Sequence, residues 1–207
     1  MYIVNTYEQI EQKEKELNEN HIIILLFVRP TVCGAEDIIK EFNYIHYDSS
    51  KYCSIYAVGY TNELSSTQFT YNVIGVDGAD WYFSDEDFID FKNKPEDRLK
   101  WRYSGENELI VLQSNIEGNN ILNYQNYVAI NINEGLRKEY IPSYSMFMAS
   151  LIRNSKSEVK ASNAVKKTYR LKKRQIVEMA LEEIQKVPTP VKRLLKNRIF
   201  FKTSKAC

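Results

Sequence analysis

The strongest pattern in the chain is an unbroken apolar run, "HIIILLFV" at 21–28, set between segments whose apolar positions are spaced for helices. A β-branched and aliphatic run with no polar alternation suits a strand buried on both faces, as at the centre of a parallel or mixed sheet. Ahead of it, "TYEQIEQKEKELNE" places Tyr7, Ile10 and Leu17 at helical spacing in a charged segment and predicts a surface helix packed along a narrow stripe. Behind it, "RPTVCG" predicts a turn, because Pro30 disfavours helix at Arg29 and Gly34 frees the backbone. From Ala35 a helix follows, with Ile38, Ile39 and Phe42 on one face and Glu36 and Asp37 in the first turn, where they complement the helix dipole.

Residues 52–60 predict a second strand and 61–80 a polar loop. Ser84 then caps a helix in which Phe88 and Phe91 share a side, with Asp87 three residues after the cap. "ENELIVLQSN" and "NYVAININ" predict two strands joined by a hairpin-like turn at Gly118 and Asn119, and "IPSYSMFMASLI" a closing helix with Pro142 near its first turn and Ser143 as a cap. The order is helix, strand, helix, strand, helix, strand, strand, helix, which resembles that of a thioredoxin-like α/β domain with a central mixed sheet and flanking helices. Residues 1–153 form that domain. Residues 154–207 predict a basic helical extension: a long helix at about 158–186, a break at "VPTP" (187–190) and a short helix at about 191–201.

Charge sharpens this division. Residues 1–150 carry 12 Lys and Arg against 23 Asp and Glu, net −11, whereas residues 151–207 carry 16 against 4, net +12. The apolar run falls far short of the roughly 20 residues of a membrane span, and the first twenty residues lack the layout of a secretory signal. Three cysteines, Cys33, Cys53 and Cys207, give no disulfide framework, so a reducing cytoplasm is the expected location.

The cysteine turn resembles the active-site turn of thioredoxin-like oxidoreductases: strand, then Cys33 and Gly34, then helix. That resemblance implies a second cysteine at position 36 and a cis-proline before the facing strand. Glu36 stands at the first, and "RYSGENELIVL" has no proline. A carboxylate cannot resolve a mixed disulfide. Cys33 therefore reads first as a buried or semi-buried small residue, and as a monothiol redox centre only as the lesser alternative; no other catalytic residue is favoured. The scattered histidines and cysteines predict no metal site, and the phosphate-loop, dinucleotide, nucleophile-elbow and zinc-protease motifs are absent. No cofactor is expected, and the balance leans away from an enzyme.

The stretches at 42–60 and 80–112 also resemble a group of uncharacterised bacterial proteins associated with defence or mobile loci. The likeness covers roughly 22–152 and is carried by Gly59 and Tyr60, by Trp81–Phe83 and by "KWRYSGENEL". It implies an accessory or effector-linked role. Within "KWRYSG", Trp101 and Arg102 are candidates for stacking a base and pairing its phosphate; the alternative is that the aromatic enters the core and Arg102 pairs an acid.

The extension offers two kinds of contact. An apolar stripe of Val165, Tyr169, Ile176, Ala180, Ile184, Leu194, Leu195 and Ile199 suits docking on another protein or a second copy. The cations Lys166, Lys167, Arg170, Lys172, Lys173, Arg174, Lys192, Arg193, Lys196 and Arg198 suit a nucleic-acid backbone, an anionic membrane less well, or the chain's own acidic domain. The stripe in register favours a protein partner. The expected function is thus a non-enzymatic adaptor or regulatory subunit of a bacterial multi-protein system, an anti-phage system being one candidate. The alternatives are a nucleic-acid-associated accessory protein and a monothiol redox protein.

Overall fold

In the computed structural model, which describes residues 1–49, 52–63, 71–118, 120–164 and 201–203, the molecule is assembled around the apolar run. In chain order the elements are β1 (Tyr2–Val4), α1 (Tyr7–Leu17), β2 (Ile22–Phe27), α2 (Ala35–Lys40), α3 (Phe42–Ser49), β3 (Cys53–Val58) and β4 (Tyr60–Thr61). They continue with β5 (Tyr71–Ile74), β6 (Asp80–Phe83), α4 (Asp85–Arg98), β7 (Glu108–Ser114), β8 (Leu122–Asn131), α5 (Ile132–Arg137), α6 (Tyr144–Ala164) and β9 (Phe201–Thr203).

A six-stranded mixed sheet runs in the order β1-β3-β2-β7-β8-β9. β3 is parallel to both β1 and β2, whereas β7 is antiparallel to β2 and to β8. All six residues of β2 are buried, as a strand covered on both faces requires. On one face, Phe27 meets Phe88 and Phe91 of α4, and Tyr7 of α1 packs on Phe91 and Tyr124. On the other, α3 and α6 pack together and against β3, with Phe147, Met148, Leu151 and Ile152 buried.

Several expectations hold at residue level. Ser84 accepts the Asp87 amide at 3.2 Å, and Ser143 accepts that of Met146 at 3.2 Å. The stripe on α1 differs: Leu17 is 40% exposed, and the third buried position after Tyr7 and Ile10 is Glu14. The polar loop expected at 61–80 is replaced in its described part by structure. β4, β6 and β5 form a second, three-stranded antiparallel sheet, and Trp81 and Phe83 of β6 are buried. Gly59 makes the junction: at φ +82 it ends β3 and starts β4, its N–H donates to Val4 O at 2.7 Å, and its carbonyl accepts Ser84 N–H at 2.9 Å.

α6 runs from Tyr144 to Ala164 without a break, so the closing helix and the first residues of the predicted long helix are one element. Ser155 is fully buried in it. The remainder of that long helix, the break at 187–190 and the short helix at 191–201 lie outside the described residues, except Phe201. Phe201 belongs to β9, antiparallel to β8 with Val128 opposite Thr203 and Ile130 opposite Phe201.

Candidate functional site

At the C-terminal end of β2 the chain turns through Arg29–Gly34, held by Val32 N–H to Arg29 O at 2.9 Å and Ala35 N–H to Val32 O at 3.0 Å. Gly34 takes φ +79, which lets the turn feed α2. Cys33 is a free thiol and exposed, not buried or semi-buried as expected. What is fixed at this position is its backbone: the Cys33 carbonyl accepts from Asn107 Nδ2 and from Asn133 Nδ2, each at 3.0 Å. Asn107 is fully buried and also donates to Asn133 Oδ1 at 3.0 Å, so two amides from β7's approach and from α5 fix the turn. Sequence reading passed over both, because asparagine before a strand and inside a short helix gives no periodic signal.

Glu36, at the position of the missing second cysteine, is exposed and pairs with Lys40 at 2.8 Å, one turn along α2. That hydrogen bond keeps its carboxyl below the usual range. Because the Cys33 side chain is engaged by nothing buried, Cys33→Ser is expected to shift folding stability by less than about 0.5 kcal/mol in urea denaturation.

Arg29 reaches from the turn to Asp85 at the start of α4, at 2.5 Å, with its guanidinium over the Phe88 ring. Tyr103 packs edge-on against the same ring, and burial pushes its hydroxyl pKa up. The neighbouring Trp101 is 2% exposed. Its ring lies 4.8 Å from that of Phe27, and its N–H donates to Glu108 Oε2 at 2.7 Å. It is therefore spent in the core and has no free face for a base. Arg102 donates to the carbonyls of Glu96, Leu99 and Trp101, satisfying acceptors at the C-terminal end of α4. It pairs with carbonyls rather than with an acid, and Glu96 instead binds Lys92 and the Tyr103 N–H.

The most concentrated polar chemistry lies under α1, where no site was expected. Glu14 is fully buried. Tyr56 of β3 donates its hydroxyl to Glu14 Oε1 at 2.5 Å, and His21 Nε2 lies 3.0 Å from Glu14 Oε2. The same nitrogen lies 2.7 Å from Ser54 Oγ, and Nδ1 donates to the Glu19 carbonyl at 2.8 Å. Burial, the largest single effect, works against the imidazolium, but Glu14 and Glu19 together outweigh it and the His21 pKa is raised from its ordinary 6.5. Tyr56 is pushed up as well, chiefly by burial and then by the Glu14 charge.

Ser54, His21 and Glu14 do not form a nucleophilic relay. In such a relay the acid holds one imidazole nitrogen and the hydroxyl meets the other, whereas here both meet Nε2. The arrangement ties α1 to β3 and to the start of β2. Its sequence signal was the polar residue at helical spacing after Tyr7 and Ile10, a position that patterning assigns to solvent.

Among the described residues no group of three His, Cys, Asp or Glu is placed to hold a metal ion, and no helix is long and apolar enough to cross a membrane. The stripe from Val165 to Ile199 and the cations from Lys166 to Arg198 lie outside the described residues. No protein-family model, curated protein or solved structure matches the chain.

Proposed function

We propose that the chain is a non-enzymatic adaptor or regulatory subunit of a bacterial multi-protein system, with anti-phage defence the class implied by the second resemblance. It docks a partner protein or a second copy through its basic C-terminal extension and works in the cytoplasm. Its domain is a thioredoxin-like frame without dithiol chemistry. What supports that frame is the strand order β1-β3-β2-β7-β8, three parallel strands joined by antiparallel pairing to β7 and from β7 to β8, with Cys33 at the turn after β2. Supporting the loss of chemistry is Glu36, whose carboxylate belongs to Lys40. The observation that carries the docking role is the charge division, net −11 before residue 151 and +12 after it.

The test is capture of partners from a cell lysate by the full-length chain and by a chain ending at Ala164, at low and high salt, scored for protein and nucleic acid. The cut follows Ala164 because Leu151, Ile152 and Ser155 are buried. A third bait, full-length with Lys172, Lys173 and Arg174 changed to glutamine, retains the residues of β9. A stoichiometric protein that survives high salt and is lost on truncation is expected, since apolar docking is little screened by salt. Nucleic acid alone, with affinity falling steeply as salt rises and weakened by the glutamine changes, moves the function to the phosphate-backbone alternative.

A further inference from the structure

We infer that Glu14, His21, Ser54 and Tyr56 form a proton-dependent clasp that holds α1 on the sheet and releases it as the solution becomes alkaline.

The geometry favours the proton through the charge it places beside Glu14. His21 Nδ1 faces the Glu19 carbonyl at 2.8 Å, and a carbonyl can only accept, so Nδ1 carries a hydrogen. Nε2 lies at ion-pair distance, 3.0 Å, from the buried Glu14 Oε2, and 2.7 Å from Ser54 Oγ, a hydroxyl that can accept from imidazolium or donate to a neutral ring. Imidazolium alone places a positive charge beside that buried carboxylate. A neutral ring, its Nε2 accepting from the Ser54 hydroxyl, removes that charge and leaves the buried Glu14 carboxylate with the Tyr56 hydroxyl as its donor.

The surrounding charges agree. Glu14 from α1 and Glu19 from the connection to β2 both favour the charged ring. Tyr56 from β3 stays protonated and acts as a donor to Glu14, and beyond it stands Tyr2 of β1, with the Lys13 ammonium 5.3 Å from that ring's centroid. Burial, the largest single effect, opposes the charge, and Glu14 and Glu19 together outweigh it.

The sign follows from a folded-state pKa raised above the ordinary 6.5. The clasp contributes fully below that ordinary value and is lost as pH rises through the raised one. α1 is the element set free, because Glu14 alone joins its C-terminal half to β3 and β2 by side-chain ionic contact among the described residues, whereas Tyr7 and Ile10 hold its N-terminal half by packing. Opening uncovers the face of the sheet carrying Tyr56 and its register partner Leu25.

The experiment is backbone hydrogen exchange on the full chain from pH 6 to pH 9.5, with α1 referenced to α4 in the same molecule to cancel the intrinsic pH dependence of exchange. In the unchanged protein the α1 opening constant is expected to rise relative to α4, up to about tenfold for each unit by which the His21 pKa exceeds its ordinary value. In His21→Gln and Glu14→Gln the ratio should be flat with pH, whatever their absolute stability. Using two variants and a slope keeps the outcome readable if either one is less stable. A flat ratio in the unchanged protein, or the same slope in both variants, overturns the clasp.

Discussion

Replacing Trp101 with alanine is expected to cost about 4 kcal/mol of folding stability, the usual range for emptying a buried aromatic site. The indole is 2% exposed and packed on Phe27, and its loss also removes the N–H from Glu108, itself 4% exposed. Against a typical domain stability of about 5–15 kcal/mol this is a large fraction. Trp101→Phe keeps most of the packing and deletes the hydrogen bond to a charged acceptor, for which about 2 kcal/mol is expected. Urea denaturation of both variants measures the two effects. If Trp101→Ala left stability unchanged while weakening nucleic-acid binding, the ring would have to lie outside the core and the base-stacking role would return.

Gly59→Ala is expected to cost about 3 kcal/mol, combining a left-handed backbone penalty with overpacking. An added Cβ would stand 2.8 Å from Phe88 Cβ, 3.0 Å from Phe83 Cε2 and 3.2 Å from Phe88 Cα, and the last of these is backbone that cannot swing aside. Gly105 is the control. Its φ is +89 but nothing lies within 4 Å of its added Cβ, so Gly105→Ala should show the conformational penalty alone, about 1–2 kcal/mol. Thermal melts of the two variants separate the effects. Equal losses would show that Gly59 is not tightly enclosed at the junction of the two sheets.

Elements that announce themselves by composition or by caps were legible in the sequence. β2 was visible because none of its positions is polar, and α4 because Ser84 and two phenylalanines mark its start and its buried side. The second sheet was not visible. β4 has two residues and β5 four, mostly exposed, so neither offers an alternation long enough to distinguish from a loop. β1, at three residues, was lost for the same reason. At the Cys33 turn the chain path was readable, but its anchors were not, because Asn107 and Asn133 act on a carbonyl about seventy and a hundred positions away. Glu14 was hidden by the rule that serves elsewhere, that acids on a charged helix face water. A buried acid becomes recognisable only when its partners, Tyr56 and His21, are known to be neighbours.

The placement of β2 between β3 and β7 also bears on how the chain emerges from the ribosome. Ile24 has its parallel partner, Ile55, soon after it is made, but its antiparallel partner, Val111, only after the whole second sheet and α4 have been synthesised. At a synthesis rate of about 5–20 residues per second, the wait is on the order of 4–17 s. Through that interval a six-residue strand with no polar side chain has at least one open edge, the kind of surface on which nascent chains pair with one another. Slower translation between residues 60 and 108 would lengthen the exposure and lower the soluble yield. Chaperone capture of nascent chains should accordingly peak before Val111 emerges and fall once β7 can close the ladder.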